Sequence, residues 1–170
     1  LAAGLAPLDR AFGLRSAVVA TLQAASGAGY PGVPSLDILG NVIPFIGGGE
    51  EEKIAAETRK ILGTMTHGSI LESPAVVSAM VHRVPVLDGH LMSVSLGFAN
   101  APSPDDVRSA LEAFQPDPSA ADLPSTPQRV IEIEHHGRRI GAGCGITLDG
   151  SGITHTGRIT DAAHRPAPRR

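Results

Sequence analysis

Leu5, Leu8 and Phe12 recur at the three- and four-residue spacing that lines one side of a helix, and Gly13 closes the segment. Pro7 is compatible with that helix if it falls near the first turn. Residues 16–23 (SAVVATLQ) then form a short, β-branched, apolar run ending in a glycine cluster, the pattern of a buried strand that stops abruptly. Residues 26–35 (SGAGYPGVPS) read as a loop. Residues 50–62 (EEEKIAAETRKIL) carry acids in the first turn, Arg59 and Lys60 in the last, and Gly63 in the position of a left-handed C-cap, so they predict a helix. Residues 75–86 and 91–99 read as two strands turned over by LDGH, and hence as antiparallel neighbours. Ser103 is placed to cap a further helix with Pro104 at its first position, Asp105 and Asp106 in its first turn, Val107, Leu111 and Phe114 on one face, and Pro116 and Pro118 beyond its end. After a Pro/Ser/Asp/Ala-rich connection, residues 129–134 (RVIEIE) alternate like a half-buried strand. From His135 onward Gly and Thr separate short apolar pairs, which fits weak hairpins or disorder. No internal repeat is visible.

Composition narrows this picture. The 170 residues are 42% hydrophobic but only 3% aromatic, so the core is expected to consist of Val, Ile, Leu and Ala in layers of strand and helix. The length suits one domain. Cys144 is the only cysteine, which excludes a disulfide framework and is compatible with a reducing compartment. There is no apolar run of membrane-spanning length and no signal-peptide pattern. A net charge of −3 spread along the chain gives no footprint for nucleic acid, and Arg165, Arg169 and Arg170 read as a solvated terminus.

Several residues invite chemistry. GAGYPG matches G-x-G-x-x-G after a strand, but Pro31 and Pro34 obstruct the helix that a dinucleotide fingerprint requires, so Gly27, Gly29 and Gly32 are expected where the backbone turns or approaches something closely. Gln23 ends the preceding strand. Arg83 and His90 flank the VPVLDG link, where a guanidinium fork and an imidazole would suit a small acidic substrate; two surface residues are the plainer alternative. Glu50 and Lys53, three apart on a first helical turn, form either a simple ion pair or part of a site at which Lys53 and backbone N–H groups meet a phosphate and Glu50 an ammonium. His135, His136, Cys144, His155 and His164 lack compact zinc spacing, so no metal is expected.

Taken in order, APLDRAFGL, TLQAASGAGYPGVPSLDILGNVIPFIGG, EEEKIAAETRKILG, SPAVVSAMVHRVPVLDGH and LPSTP resemble the archaeal and fungal type of aspartate-semialdehyde dehydrogenase, over roughly residues 6–127. A related archaeal malonyl-coenzyme A reductase shares much of the resemblance. The family fold implied is α+β, a mixed, largely antiparallel sheet covered by helices, like the C-terminal domain of glyceraldehyde-3-phosphate dehydrogenase. Its exposed sheet face packs on a second subunit in a homodimer or homotetramer. Residues 1–134 would be the partial catalytic and dimerisation domain, and residues 135–170 an unmatched tail, although RPAPRR is similar to the family's RPQPR.

The resemblance also implies NADPH-dependent reduction of aspartyl phosphate to the semialdehyde through a cysteine thioester, in cytoplasmic biosynthesis of lysine, threonine and methionine. His90 would be the acid/base, Gln23 would orient the acyl group, Arg83 would clamp the substrate carboxylate, Glu50 would meet its ammonium and Lys53 the phosphate. In the family, the nucleotide-binding domain that holds most of NADP and an Asn-Cys nucleophile both lie upstream of APLDRAFGL. The chain therefore reads as a truncation, inactive alone, with a non-catalytic dimerisation module or decayed remnant as the rival. His82 stands where the family usually has Asn, and Leu91 and Met92 stand where polar residues are usual.

Overall fold

Leu14–Ala24 forms β1, an apolar strand of eleven residues around which the other strands assemble. The computed structural model describes residues 1–115, 118–120, 123–124, 126–127, 129–133, 144–149 and 152–159. In chain order the regular elements are α1 (Ala2–Phe12), β1, α2 (Ser35–Ile38), β2 (Ile43–Pro44), α3 (Glu50–Ile61), β3 (Thr64–Thr66), β4 (Ser69–Leu71), β5 (Val76–Val84), β6 (His90–Phe98), α4 (Pro104–Glu112), β7 (Cys144–Asp149) and β8 (Gly152–Ile159). Six strands form one sheet in the order β2-β5-β1-β6-β8-β7, and β3 pairs with β4 as a separate hairpin. Only β1 and β5 run parallel; the other pairs are antiparallel, so the sheet is mixed and largely antiparallel, as expected.

The period of two along β1 decides which residues become core. Ala17, Val19, Thr21 and Gln23 point to the face covered by helices, opposite Val77, Ala79, Val81 and Arg83 on β5 and Leu96, Val94, Met92 and His90 on β6. Leu5 of α1 completes a core with Leu14, Ala17, Val19, Ala75 and Val94, and Leu62 beyond α3 packs on it. A second cluster joins α1 to α4 through Leu8, Val107 and Leu111, with Phe12 edge-on to Phe98 at 5.8 Å. The opposite face, carrying Val18, Leu22, Val76 and Met80, is open to solvent. Among the described residues no helix is long and apolar enough to cross a membrane.

Four expectations need correction. β5 and β6 are not neighbours: β1 lies between them, its backbone paired with β5 on one edge and β6 on the other, and the link at residues 85–89 passes over its end. Pro7 is the sixth residue of α1 rather than part of its first turn, and its buried ring packs inward where a lost backbone bond is offset by burial. Gly63 is not a left-handed cap. Leu62 ends α3 in right-handed conformation, and Gly63 is required because a Cβ would lie 2.5 Å from the Leu71 carbonyl oxygen on the returning hairpin. Residues 129–133 form no strand, yet Ile131 and Ile133 both pack on the Leu8 cluster, so their alternation records one-sided burial without pairing. Of the two alternatives for the tail, β7 and β8 form a hairpin that extends the sheet from β6; the remaining tail residues, with His135, His136, His164 and RPAPRR, lie outside the described residues.

α4 begins as expected. The Ser103 hydroxyl accepts the Asp106 N–H at 3.2 Å and donates to Asp106 Oδ2 at 2.7 Å, while the Ser103 N–H donates to the same carboxylate at 2.9 Å. The side-chain bond, then the backbone bond, holds the Asp106 carboxyl below its ordinary value. Its stabilising effect is therefore complete above the unfolded-state value and disappears as pH falls through the lowered folded-state value. Ser103→Ala is expected to lose about 1 kcal/mol at neutral pH, and the difference from wild type should shrink in acid. Urea unfolding at neutral and acidic pH checks this; an equal difference at both would remove the Asp106 contribution.

Candidate active site

The registers of three strands bring Arg83, Gln23 and His90 into one row. Gln23 on β1 lies opposite Arg83 on β5 and opposite His90 on β6, so all three side chains start from the helix-covered face at the same end of the sheet. That alignment depends on where β6 starts: His90 is its first residue rather than the last of a turn.

The link at residues 85–89 is fastened to the end of β1. Ala24 N–H donates to Gly89 O at 3.1 Å, Ala25 N–H to Val86 O at 2.8 Å and Ser26 N–H to Leu87 O at 3.2 Å. His90 Nδ1 lies 2.9 Å from Gly89 O, the geometry of an Nδ1–H donor. The longer 3.4 Å approach of Ala24 N to the same nitrogen is secondary, since that amide is already bonded to Gly89 O. The tautomer so fixed leaves a lone pair on Nε2 for proton transfer.

Arg83 is only 7% exposed, yet its guanidinium makes one hydrogen bond among the described residues, from Nη1 to Ala24 O at 2.9 Å, and has no carboxylate partner there. Removing a cation from water is unfavourable by several kcal/mol unless an anion compensates. Gln23, at 8% exposure, reaches only Thr21 Oγ1 among the described residues, at 3.4 Å. A buried fork with donors to spare, a polar amide beside it and an imidazole able to give or take a proton form a site suited to a small molecule that carries a carboxylate.

Glu50 and Lys53 stand apart from this row. Three consecutive glycines, Gly47, Gly48 and Gly49, take left-handed φ values of 88°, 71° and 66° on the way into α3, a path that side chains disfavour. Glu51 Oε1 then accepts the Val81 N–H at 3.3 Å, tying the first turn to β5 two residues before Arg83. Glu50 and Lys53 pair only with each other among the described residues, at 3.9 Å. Among the described residues no hydrogen bond or ion pair links them to the row.

Gly27 makes the close approach expected of the glycine cluster. It lies on the 3-10 turn Ala25–Ala28, and a Cβ there would come within 2.8 Å of Arg83 Nη1 and 3.3 Å of His90 Cε1. The signal was present in the glycine cluster after Gln23, but its target was not. GAGYPG forms no phosphate-binding turn of the dinucleotide kind: the next helix, α2, starts only at Ser35 and has four residues. Among the described residues, no group of three His, Cys, Asp or Glu side chains is arranged to hold a metal.

Comparison with known proteins places these features in a family. Residues 5–140 match the family model of the semialdehyde dehydrogenase dimerisation domain. The chain is 50% identical to the aspartate-semialdehyde dehydrogenase of Schizosaccharomyces pombe over 133 residues, 76% of this chain and 37% of that protein. It is 39% identical to the aspartate-semialdehyde dehydrogenase of Methanothermobacter thermautotrophicus over 159 residues, 94% of this chain and 46% of that protein, an alignment longer than residues 1–134 alone can supply. The crystal structure of aspartate semialdehyde dehydrogenase with NADP from Candida albicans superposes with a TM-score of 0.78 at 33% identity, covering 93% of this chain and 49% of that one. The chain thus spans less than half the length of the relatives it matches. It belongs to the semialdehyde dehydrogenase family, within the dimerisation domain.

Proposed function

We propose that this chain supplies the substrate-binding and dimerisation half of an aspartate-semialdehyde dehydrogenase, which reduces aspartyl 4-phosphate to the semialdehyde. The observation that carries the reading is Arg83, a buried guanidinium without a carboxylate partner among the described residues, in register with Gln23 and His90. Arg83 holds the substrate carboxylate through its free N–H groups. Gln23 orients the acyl group. His90 takes or returns a proton at Nε2, while Gly89 O keeps the ring in the right tautomer. Glu50 meets the substrate ammonium and Lys53 the phosphate, on the first turn of α3. The thiol that carries the acyl group belongs to the part of the enzyme outside this match.

NADPH supplies the hydride in such a reaction, and the loop after β1 does not fit its pyrophosphate. The loop after β1 leads to no helix long enough to receive a pyrophosphate. The cofactor is accordingly held by the other half, and this chain's part is to bind, orient and move a proton. Reconstitution tests the assignment. The chain is mixed with the half of the Candida albicans enzyme that it does not match, and NADPH formation is followed from aspartate semialdehyde, phosphate and NADP. Turnover that appears only on mixing supports the reading; none, in a mixture that sedimentation shows to be assembled, overturns it.

The open face of the sheet is the surface on which a second copy packs. Val18, Leu22, Val76 and Met80 share it, with Ser78, Ser93 and Ser95 between them and no charged side chain on β1 at Val18, Ala20 or Leu22. Val18→Asp, at a site 51% exposed in the single chain, is expected to weaken self-association by about 2 kcal/mol or more, roughly 30-fold. Sedimentation over a concentration series measures it. Unchanged association would move the interface to another surface.

A further inference from the structure

Gly27 does not adopt a left-handed φ, so its backbone conformation is open to any residue and space alone calls for glycine. A Cβ there would lie 2.8 Å from Arg83 Nη1, 3.3 Å from His90 Cε1 and 3.8 Å from His90 Nε2. Arg83 and His90 therefore close on the bare Cα from two strands that are not adjacent. Both are also held by backbone: Arg83 Nη1 by Ala24 O, His90 Nδ1 by Gly89 O. The turn bearing Gly27 cannot readily retreat, because Ala24, Ala25 and Ser26 are each hydrogen-bonded to the link at residues 85–89.

We infer that Gly27 is a positioning residue, whose missing side chain sets how closely the Arg83 guanidinium and the His90 imidazole approach a shared substrate. The inference rests on the reading that Arg83 and His90 serve one ligand. A methyl group at this point meets the ends of two side chains, and these move because the turn is fastened. The guanidinium is driven from Ala24 O and the ring from Gly89 O, so carboxylate binding and proton transfer both suffer.

Gly27→Ala is expected to fold and to lose roughly 10- to 100-fold in kcat/KM in the reconstituted enzyme. KM should rise through Arg83, and kcat with its pH profile should change through His90. Gly4→Ala, where an added Cβ meets nothing within 4 Å, serves as the neutral control. In the double variant Gly27→Ala, Arg83→Lys, the losses should be less than multiplicative, since lysine no longer presents the guanidinium that the methyl strikes. Imidazole NMR of His90 in the chain alone gives a second readout, a changed tautomer signature or titration midpoint in Gly27→Ala. Unchanged kcat/KM and an unchanged His90 titration would overturn the inference, as would fully multiplicative losses. If the wild-type mixture is inactive, the proposed function falls while the NMR titration still decides the role of Gly27.

Discussion

Alanine at His90 is expected to lower kcat of the reconstituted enzyme by about 10²–10⁴-fold, the range typical of a lost general acid/base. The expectation follows from the ring's environment. Nδ1 is committed to Gly89 O at 2.9 Å, so a single nitrogen, Nε2, is available, and strand register sets His90 opposite Gln23 in the row that also holds Arg83. Removing the imidazole leaves that row otherwise intact, because Arg83 is anchored on Ala24 O and not on His90. KM should therefore change much less than kcat. A pH–rate profile adds a check: the limb that reports His90 should vanish in the variant. Equal kcat values for wild type and variant, in mixtures assembled to the same extent, would take His90 out of the chemistry.

Leu8→Ala should have the largest effect on the fold, about 2–5 kcal/mol. Leu8 is fully buried, and it packs with Phe12 of α1, with Val107 and Leu111 of α4 and with Leu96 and Phe98 at the end of β6. Neighbours belonging to separate elements cannot collapse together into the space left by the isobutyl group, so the cavity term is kept. A loss of that size is a large share of the stability of an ordinary domain, about 5–15 kcal/mol. Leu36→Ala, on a residue 92% exposed, should change stability by no more than about 0.5 kcal/mol. Urea midpoints at fixed protein concentration compare the two; similar midpoints would show that α1 and α4 do not share a core.

The parts of the molecule that were legible in the sequence are those whose causes are local. The acids and cations at the two ends of α3, and the Ser103–Asp106 box on α4, lie within a turn of the backbone they stabilise, and both helices appear where expected. Strand order was not legible in the same way. β5 and β6 are separated by only a short link, which favours a hairpin, and nothing in that stretch discloses that β1, far upstream, fits between them. Gly63 and Gly27 show the same limit. Each glycine is explained by a contact that only the fold creates, the Leu71 carbonyl in one case and the Arg83 and His90 side chains in the other. Arg83 and His90 suggested chemistry by residue type, but it was the family resemblance that drew in Gln23, which strand register sets opposite both.

The central position of β1 also bears on how the chain acquires its structure. Ala24 and Arg83, joined by a hydrogen bond, are 59 residues apart, and Ala24 and His90 are 66 apart. Contacts so distant must await closure of long loops, which slows folding relative to a local hairpin. As the chain leaves the ribosome, β1 is made first and has no partner until β5 and β6 follow. It is then an apolar strand with both edges unpaired, the condition most prone to intermolecular pairing. Conditions that slow elongation across residues 25–98 should therefore lengthen this exposed interval and raise the demand for chaperones.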